Sequence, residues 1–300
     1  MKKSKSSITE IRNWWNAHPY SYGLGSEGNY IDVGLPKDES IENTIQKYEA
    51  KYKKHLNESM DTQNRPAGKY IPYDSIKGKK VLDVACGMGW ASINLAKNLS
   101  DVEAIDLTPN SVEFTKKYAA HSGLKINVQE MSAEEIKFPN QYFDFVLGWG
   151  FLMHTENPEK ALSEMLRVVK EDGSVVLYFY YKHSVSYWWH IWFLRGVLLG
   201  YLFKFRGNRI RLVSRFTDGQ SFGGNMKTDV LSKNWFKHNA ESEGFSCKFI
   251  GFGPSSLLDS WPVSFMPLGK VLPKKVKLYI TKKIGFGHIV TLTKLSDKRN

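Results

Sequence analysis

"VLDVACGMGWASINLA", residues 81–96, decides the fold. Its first half is an apolar run suited to a strand buried on both faces. Two glycines then mark a tight turn, and the second half carries helix formers. One residue is out of place. Asp83 puts a carboxylate into the apolar run, four positions before Gly87. A strand that only fills a core gains nothing from a buried charge, which is costly unless it is partnered. A strand that ends beside a cationic ligand does gain. Gly87 and Gly89 permit close approach of the backbone, and the strand–turn–helix order aims backbone N–H groups and the positive end of a helix at whatever binds there.

Working outward, strand and helix alternate through the middle of the chain. "VEAIDLT" reads as a strand and "PNSVEFTKKYAAHSG" as a helix, with Pro109 in its first turn and Gly123 as its stop. "INVQEMS" and "YFDFVLGWG" read as strands, "NPEKALSEMLRVVKEDG" as a helix and "SVVLYFYY" as a strand. Alternation of this length implies an α/β fold with a parallel sheet and crossover helices, ligands meeting the carboxyl ends of the strands. Farther on, "SKNWFKHNAESEGF" reads as a helix, and "SCKFIGF" and "GHIVTLTKL" as strands that complete the sheet. Residues 1–75 precede this core as a polar, aromatic-rich cap that includes "RNWWNAHPYSYG", and residues 76–300 form the ligand-binding domain.

Composition narrows the function classes. Three hundred residues with 42% hydrophobic and 24% charged content allow a full core. The lysines of the N-terminal "MKKSKSS" have no apolar stretch behind them, so no secretory signal is read. Two cysteines, Cys86 and Cys247, argue against a disulfide framework and a four-thiolate metal site, which favours a cytoplasmic setting. Scattered histidines without ligand spacing argue against any metal site. The net charge of +12 is spread along the chain with no nucleic-acid recognition motif, so nucleic acid is not expected as a partner.

A second acid sharpens the ligand. Asp106 closes "VEAIDLT" about twenty residues after the turn, where nucleotide-binding βαβ units meet ribose hydroxyls. A dinucleotide fingerprint needs a third glycine where this chain has Ser92, and a carboxylate at Asp83 repels pyrophosphate while suiting an α-ammonium group. The ligand therefore combines a ribose with an amino acid, as S-adenosylmethionine (SAM) does.

At these residues the chain resembles the class I SAM-dependent methyltransferases, in particular the group that includes the ubiquinone and menaquinone biosynthesis enzymes. The likeness runs through "VLDVACGMG", "AIDLTPNSVEFTKKYA" and "SAEEIKFPNQYFDFVLGWGFLMHTENPEKALSEMLRVVKEDGSVVL". It implies a Rossmann-like, doubly wound, mostly parallel seven-stranded sheet with an N-terminal helical cap and an apolar insertion after the fifth strand. It also implies that Asp83, Gly87 and Gly89 hold the methionine portion, that Asp106 binds the ribose and that Leu107 covers the adenine. Ser132 stands where the family commonly has Asp and is expected to accept from the adenine amine, Ala133 to offer its backbone N–H, and Trp149 and Gly150 to line the methyl-bearing side. Trp149 also has a plain reading as a core aromatic.

For the chemistry, His154 follows "WGFLM" at the carboxyl end of the fourth strand and is the first candidate base; a loop-bonded histidine is the alternative reading. His18 and Tyr22 of the N-terminal segment are the further catalytic candidates, Tyr20 and Tyr22 are placed to close over the cofactor, and Trp14 and Trp15 are packing anchors or substrate walls. The stretch "YWWHIWFLRGVLLGYLFKF", residues 187–205, is near the shortest length that spans a membrane, but His190, Arg195, Gly196 and Gly200 interrupt it. Three uses stay open for it: a lid at about 183–227, a peripheral membrane contact through 187–211, or a homo-oligomer interface. The expected partner is a small-molecule methyl acceptor, either apolar and quinone-like or a small thiol, with the O, S, N or C nucleophile unresolved. A non-catalytic SAM- or nucleoside-binding module and a nicotinamide-dependent oxidoreductase are the competing functions.

Overall fold

A computed structural model describes residues 6–24, 39–252 and 283–295, together with residues 273, 275, 276 and 279. Two helices come first, α1 (Ile8–Ala17) and α2 (Ile41–Leu56). Ser7 and Glu10 form a reciprocal capping box that starts α1, and the Ser40 hydroxyl caps α2. The core alternates as the periodicity predicts: β1 (Lys80–Val84), α3 (Trp90–Lys97), β2 (Asp101–Asp106), α4 (Pro109–His121), β3 (Asn127–Glu130), β4 (Phe143–Trp149), α5 (Pro158–Val168) and β5 (Val169–Tyr180).

Seven strands form one sheet in the order β3-β2-β1-β4-β5-β7-β6, where β6 is Phe245–Phe252 and β7 is Gly287–Lys294. Strands β1 to β5 pair in parallel, whereas β7 runs antiparallel to both β5 and β6. The sheet is therefore mixed, and its parallel character is confined to five strands. The helices lie on both faces. Tyr48, Tyr52, Trp90, Phe114 and Tyr118 build one apolar layer, while Leu162, Met165 and Phe236 pack against Val146 and Leu177 on the other.

One boundary differs from the sequence expectation. The run expected to continue α5 through "VKEDG" instead opens β5, because the carbonyls of Arg167 and Val168 are taken by the amides of Gln141 and Tyr142. Cross-strand partners outweigh a helix propensity that Val168 and Val169 lower.

The insertion after β5 consists of a wide-turn π helix (Ser186–Leu198) and two short helices, α6 (Tyr201–Lys204) and α7 (Arg209–Arg215). Gly200, at φ +71°, turns the chain between the first two, so the apolar run does not continue as one rod. No helix among the described residues is long and apolar enough to cross a membrane. Tyr187, Ile191, Leu212 and Val213 give the insertion a small core of its own. Helix α8 (Lys233–Glu241) then returns the chain to the sheet.

Candidate active site

Strands β1, β2 and β4 end on one side of the sheet, and a cavity of about 200 Å³ opens above them. The turn after β1 forms its floor. Ala85 and Gly87 both have φ +55° and Gly89 has φ +81°, so the chain leaves the strand through left-handed residues. Gly89 is confined by packing as well, since a Cβ there lies 2.7 Å from Thr115 Cγ2 of α4. The Thr115 hydroxyl donates to the Gly87 carbonyl at 2.9 Å and ties the turn to α4.

Asp106 organises the same turn from β2. Its Oδ2 accepts from the Gly87 amide at 2.8 Å, and its Oδ1 accepts from the Thr108 amide at 2.8 Å and the Thr108 hydroxyl at 2.7 Å. Burial raises the carboxyl pKa above its ordinary range against these bonds. Three donors leave acceptor capacity on the carboxylate, which lines the cavity beside Leu107 and Thr108. Ser132 and Ala133 line it next, where the Met131 amide bonds the Asp106 carbonyl at 2.8 Å. The Ser132 oxygen already accepts from the Glu134 amide at 3.1 Å, so one of its lone pairs serves its own turn.

Asp83 and Gly89 lie behind this floor and are not part of the cavity wall. Asp83 is 1% exposed, and its Oδ2 accepts from the Ser92 hydroxyl at 2.5 Å. Burial pushes its carboxyl up to about 7. The Asp83 carboxylate thus meets α3 directly, and acts on the cavity through the turn it braces.

Aromatic side chains form the other half of the cavity. Trp149 stacks on Tyr178 at 5.3 Å and meets Trp90 and Phe252 edge-on, and Gly150 follows at φ +77°. Tyr22, buried at φ +54°, contacts Tyr20 at 4.9 Å and His55 at 5.2 Å. Burial pushes the Tyr22 hydroxyl well above the ordinary tyrosine range and the His55 imidazole down to about 4, so both are neutral. His18 does not reach the wall. Its Nδ1 lies 2.9 Å from the Trp14 carbonyl at the end of α1, and its ring faces Phe222.

His154 does reach the wall, and it has a partner that the sequence reading missed. Its Nδ1 donates to the Lys227 carbonyl at 2.8 Å, and its Nε2 lies 3.1 Å from Asp218 Oδ2. The Tyr180 hydroxyl lies 2.9 Å from each oxygen of the same carboxylate and donates to it. Burial and the Asp218 charge push the Tyr180 pKa well above its ordinary value, which keeps that hydroxyl a donor. Asp218 is the only acid between Asp172 and Asp229, in a stretch otherwise basic and apolar. That isolation was the available signal.

Helix α1 contributes Ile8, Ile11 and Trp15 to the cavity wall. The Ile8 amide donates to Glu156 at 2.7 Å; Arg12 donates to the Leu107 carbonyl at 3.2 Å and pairs with Glu130 at 2.5 Å. Asn16 receives the Asn110 amide at 2.9 Å. Asp106, Glu134, Glu156 and Asp218 line the cavity, while no lysine or arginine among the described residues does. No cluster of metal-ligating side chains occurs among the described residues.

Residues 81–173 match the methyltransferase domain family. The chain is 33% identical over 115 residues to the ubiquinone biosynthesis O-methyltransferase of Dechloromonas aromatica (strain RCB), covering 38% of this chain and 49% of that protein. It is 30% identical over 105 residues to the protein of the same name in Rickettsia canadensis (strain McKiel), covering 35% and 44%. The chain thus spans about half the length of the curated relatives it matches. Among solved structures, magnesium protoporphyrin IX methyltransferase (ChlM) from Synechocystis PCC 6803, with bound SAM, aligns with a TM-score of 0.54 at 12% identity, covering 98% of this chain and 100% of that one. The [4+2]-cyclase SpnF aligns at 0.50 with 15% identity, covering 79% and 84%. These likenesses show a shared fold.

Proposed function

We propose, from the premise that residues 81–173 carry a class I SAM-dependent methyltransferase domain, that the protein transfers a methyl group from SAM to an uncharged small-molecule acceptor. The fold alone does not carry this, since a [4+2]-cyclase shares it. The observation that carries it is the His154–Asp218 pair on the wall of the same cavity that Gly87 and Asp106 floor.

The residues present fit SAM. A cavity with four carboxyl-bearing side chains and, among the described residues, no lysine or arginine on its wall suits a ligand with ammonium and sulfonium charges, and it opposes the pyrophosphate of a dinucleotide. On this reading Asp106 accepts from the ribose hydroxyls, Leu107 covers the adenine, and Ser132 and the Ala133 amide meet its polar edge. Gly87 lets the methionine portion close on the turn. Asp83 and Gly89 set the shape of that turn from behind. When bound, SAM supplies an electrophilic methyl group on a sulfonium.

The chain's own contribution is orientation and a proton acceptor. Trp149 and Gly150 wall the methyl-bearing side, and Tyr178, Tyr22 and Phe252 enclose the acceptor. His154 and Asp218 receive the proton of the acceptor's nucleophile, with Tyr180 and the Lys227 carbonyl fixing the pair from either side. Because the wall offers no cation to an anionic group, the acceptor we favour is aromatic or apolar and carries a hydroxyl. Residues 1–75 act as the cap, residues 76–300 as the cofactor-binding domain, and the insertion at 183–227 as the outer wall.

Calorimetric titration with SAM, S-adenosylhomocysteine and NADH tests the cofactor. Binding of the first two without the third is expected; the reverse order overturns the assignment. Release of S-adenosylhomocysteine in a screen of phenols, quinols, thiols and amines, followed by the product mass, then identifies the acceptor. Tight SAM binding with no turnover on any of them leaves the non-catalytic binding module as the better reading.

A further inference from the structure

The insertion has an outward face that the proposed chemistry does not use. Its inner side is consumed by the small core around Tyr187, Ile191, Leu212 and Val213, and Gly196 permits this by close approach, a Cβ there meeting Leu202 and Leu212 at 3.1 Å. The outer side presents apolar side chains to water. Leu198 is 63% exposed, Leu199 61% and Phe203 82%, all at the Gly200 turn, and Trp188 and Trp189 are exposed farther back on the π helix. Isolated exposed apolar residues are ordinary; five on one insertion are not.

Charge identifies what covers them. Between residues 182 and 217 there are seven basic residues, Lys182, Arg195, Lys204, Arg206, Arg209, Arg211 and Arg215, and no acid. This stretch holds more than half of the net +12. Lys204, Arg206, Arg209 and Arg211 are exposed beside the apolar turn. The Arg195 guanidinium lies over the Phe216 ring at 4.6 Å and that of Arg211 over Phe205 at 5.3 Å, so the cationic groups ride on the aromatic ones. A protein partner needs shape; a bilayer needs an apolar tip, aromatic side chains at the level of the headgroups and a ring of cations for anionic lipid.

We infer that the insertion is a membrane-docking element, with Leu198, Leu199 and Phe203 entering the acyl boundary of an anionic bilayer while Lys204, Arg206, Arg209 and Arg211 meet its phosphate headgroups. The docking is peripheral, since the π helix ends at Leu198 and the chain turns at Gly200. It does not depend on the methyl-transfer reading. It deepens that reading, because the docking segment leads directly into Asp218 on the cavity wall and so brings the cavity close to a source of apolar acceptors.

Flotation of the full chain with vesicles tests this. Binding is expected to phosphatidylcholine vesicles containing about 30% phosphatidylglycerol, not to phosphatidylcholine alone, and free inorganic phosphate should not compete. The variant L198S/L199S/F203S, changed only at exposed positions, should lose about tenfold in bound fraction while keeping the wild-type melting temperature. K204E/R206E should lose binding to anionic vesicles to a similar degree. In the wild type, vesicles with brominated acyl chains should quench Trp188 and Trp189 fluorescence, a readout that needs no apolar-tip variant to fold. Absence of flotation and quenching with anionic vesicles overturns the inference, as does equal flotation by L198S/L199S/F203S. A wild-type dimer that this variant converts to monomer, with no vesicle binding by either, reassigns the face to self-association. Since SAM titration involves none of these residues, failure here is distinguishable from failure of the methyltransferase assignment.

Discussion

His154 and Asp218 form a buried pair, Nε2 to Oδ2 at 3.1 Å, with the other ring nitrogen held by the Lys227 carbonyl. A carbonyl only accepts, so Nδ1 carries a proton and Nε2 is the nitrogen turned to the carboxylate, and a proton taken up by the pair sits between them. The Tyr180 hydroxyl holds the carboxylate in turn. The three groups come from three segments, the turn after β4, the end of β5 and the insertion. Such a chain of hydrogen bonds fixes both the position and the orientation of a proton acceptor.

Asp218→Asn separates this role from packing. The amide keeps the size of the side chain and an oxygen for the Tyr180 hydroxyl, but it removes the charge beside His154. The expected result is a fall in kcat of about a hundredfold, with KM for SAM within about twofold of wild type. Steady-state release of S-adenosylhomocysteine measures both. An unchanged kcat removes the pair from the chemistry.

Asp106→Asn tests the cofactor half. One oxygen survives to accept from Thr108, while the amide nitrogen now faces the Gly87 N–H, donor against donor. The variant should bind SAM at least about tenfold more weakly by calorimetry, since it loses a charged acceptor for the ribose and disturbs the turn together. Thermal melting without ligand isolates the second effect. A wild-type Kd combined with a lowered melting temperature assigns Asp106 to the turn alone.

Much of this arrangement was legible in the sequence because it is local. β1, β2 and β4 are short apolar runs with turn residues after them, and Gly87, Asp106 and Trp149 sit at their ends by chain order alone. What failed was non-local. Nothing in "VKEDG" tells that the carbonyls just before it pair with the loop ahead of β4, and nothing in "GHIVTLTK" tells that it pairs with β5 in the reverse direction. Asp218 lies far along the chain from His154, and only the folded insertion brings the two into contact. Asp83 stands out in its apolar run, yet the sequence does not tell that its partner is Ser92, on the helix behind the turn.

Asp83 makes stability depend on pH. Its folded-state value, about 7, is above the ordinary carboxyl value of 3.8, because burial disfavours the charged form. The folded state therefore holds a proton that the unfolded state has released, and stability falls as pH rises from about 4 to about 7. The full loss, on the order of 4 kcal/mol, is reached above that window. Asp83→Asn removes this dependence and still accepts from the Ser92 hydroxyl. In urea titrations without ligand, wild-type stability should fall relative to that of the variant as pH is raised from about 4 to about 7, the span of the window. Parallel curves for the two proteins would falsify the assignment of this slope to Asp83.

Helix α1 walls the cavity with Ile8, Ile11 and Trp15, and Arg12 tests whether it gates ligand exchange without touching the floor. Its guanidinium spans the Leu107 carbonyl and Glu130, joining α1 to the ends of β2 and β3. Both partners of the ion pair are more than a third exposed, so its loss should cost stability only about 0–1 kcal/mol. The Ile8–Glu156 and Asn16–Asn110 bonds remain to keep α1 folded and near its place. Arg12→Ala should therefore leave the melting temperature nearly unchanged and raise the SAM dissociation rate several-fold, because opening a lid that has lost one of its clasps costs less. Stopped-flow displacement of SAM by excess S-adenosylhomocysteine gives that rate. If dissociation is as slow as in the wild type, ligand exchange does not pass beneath α1, and the N-terminal segment serves packing rather than gating.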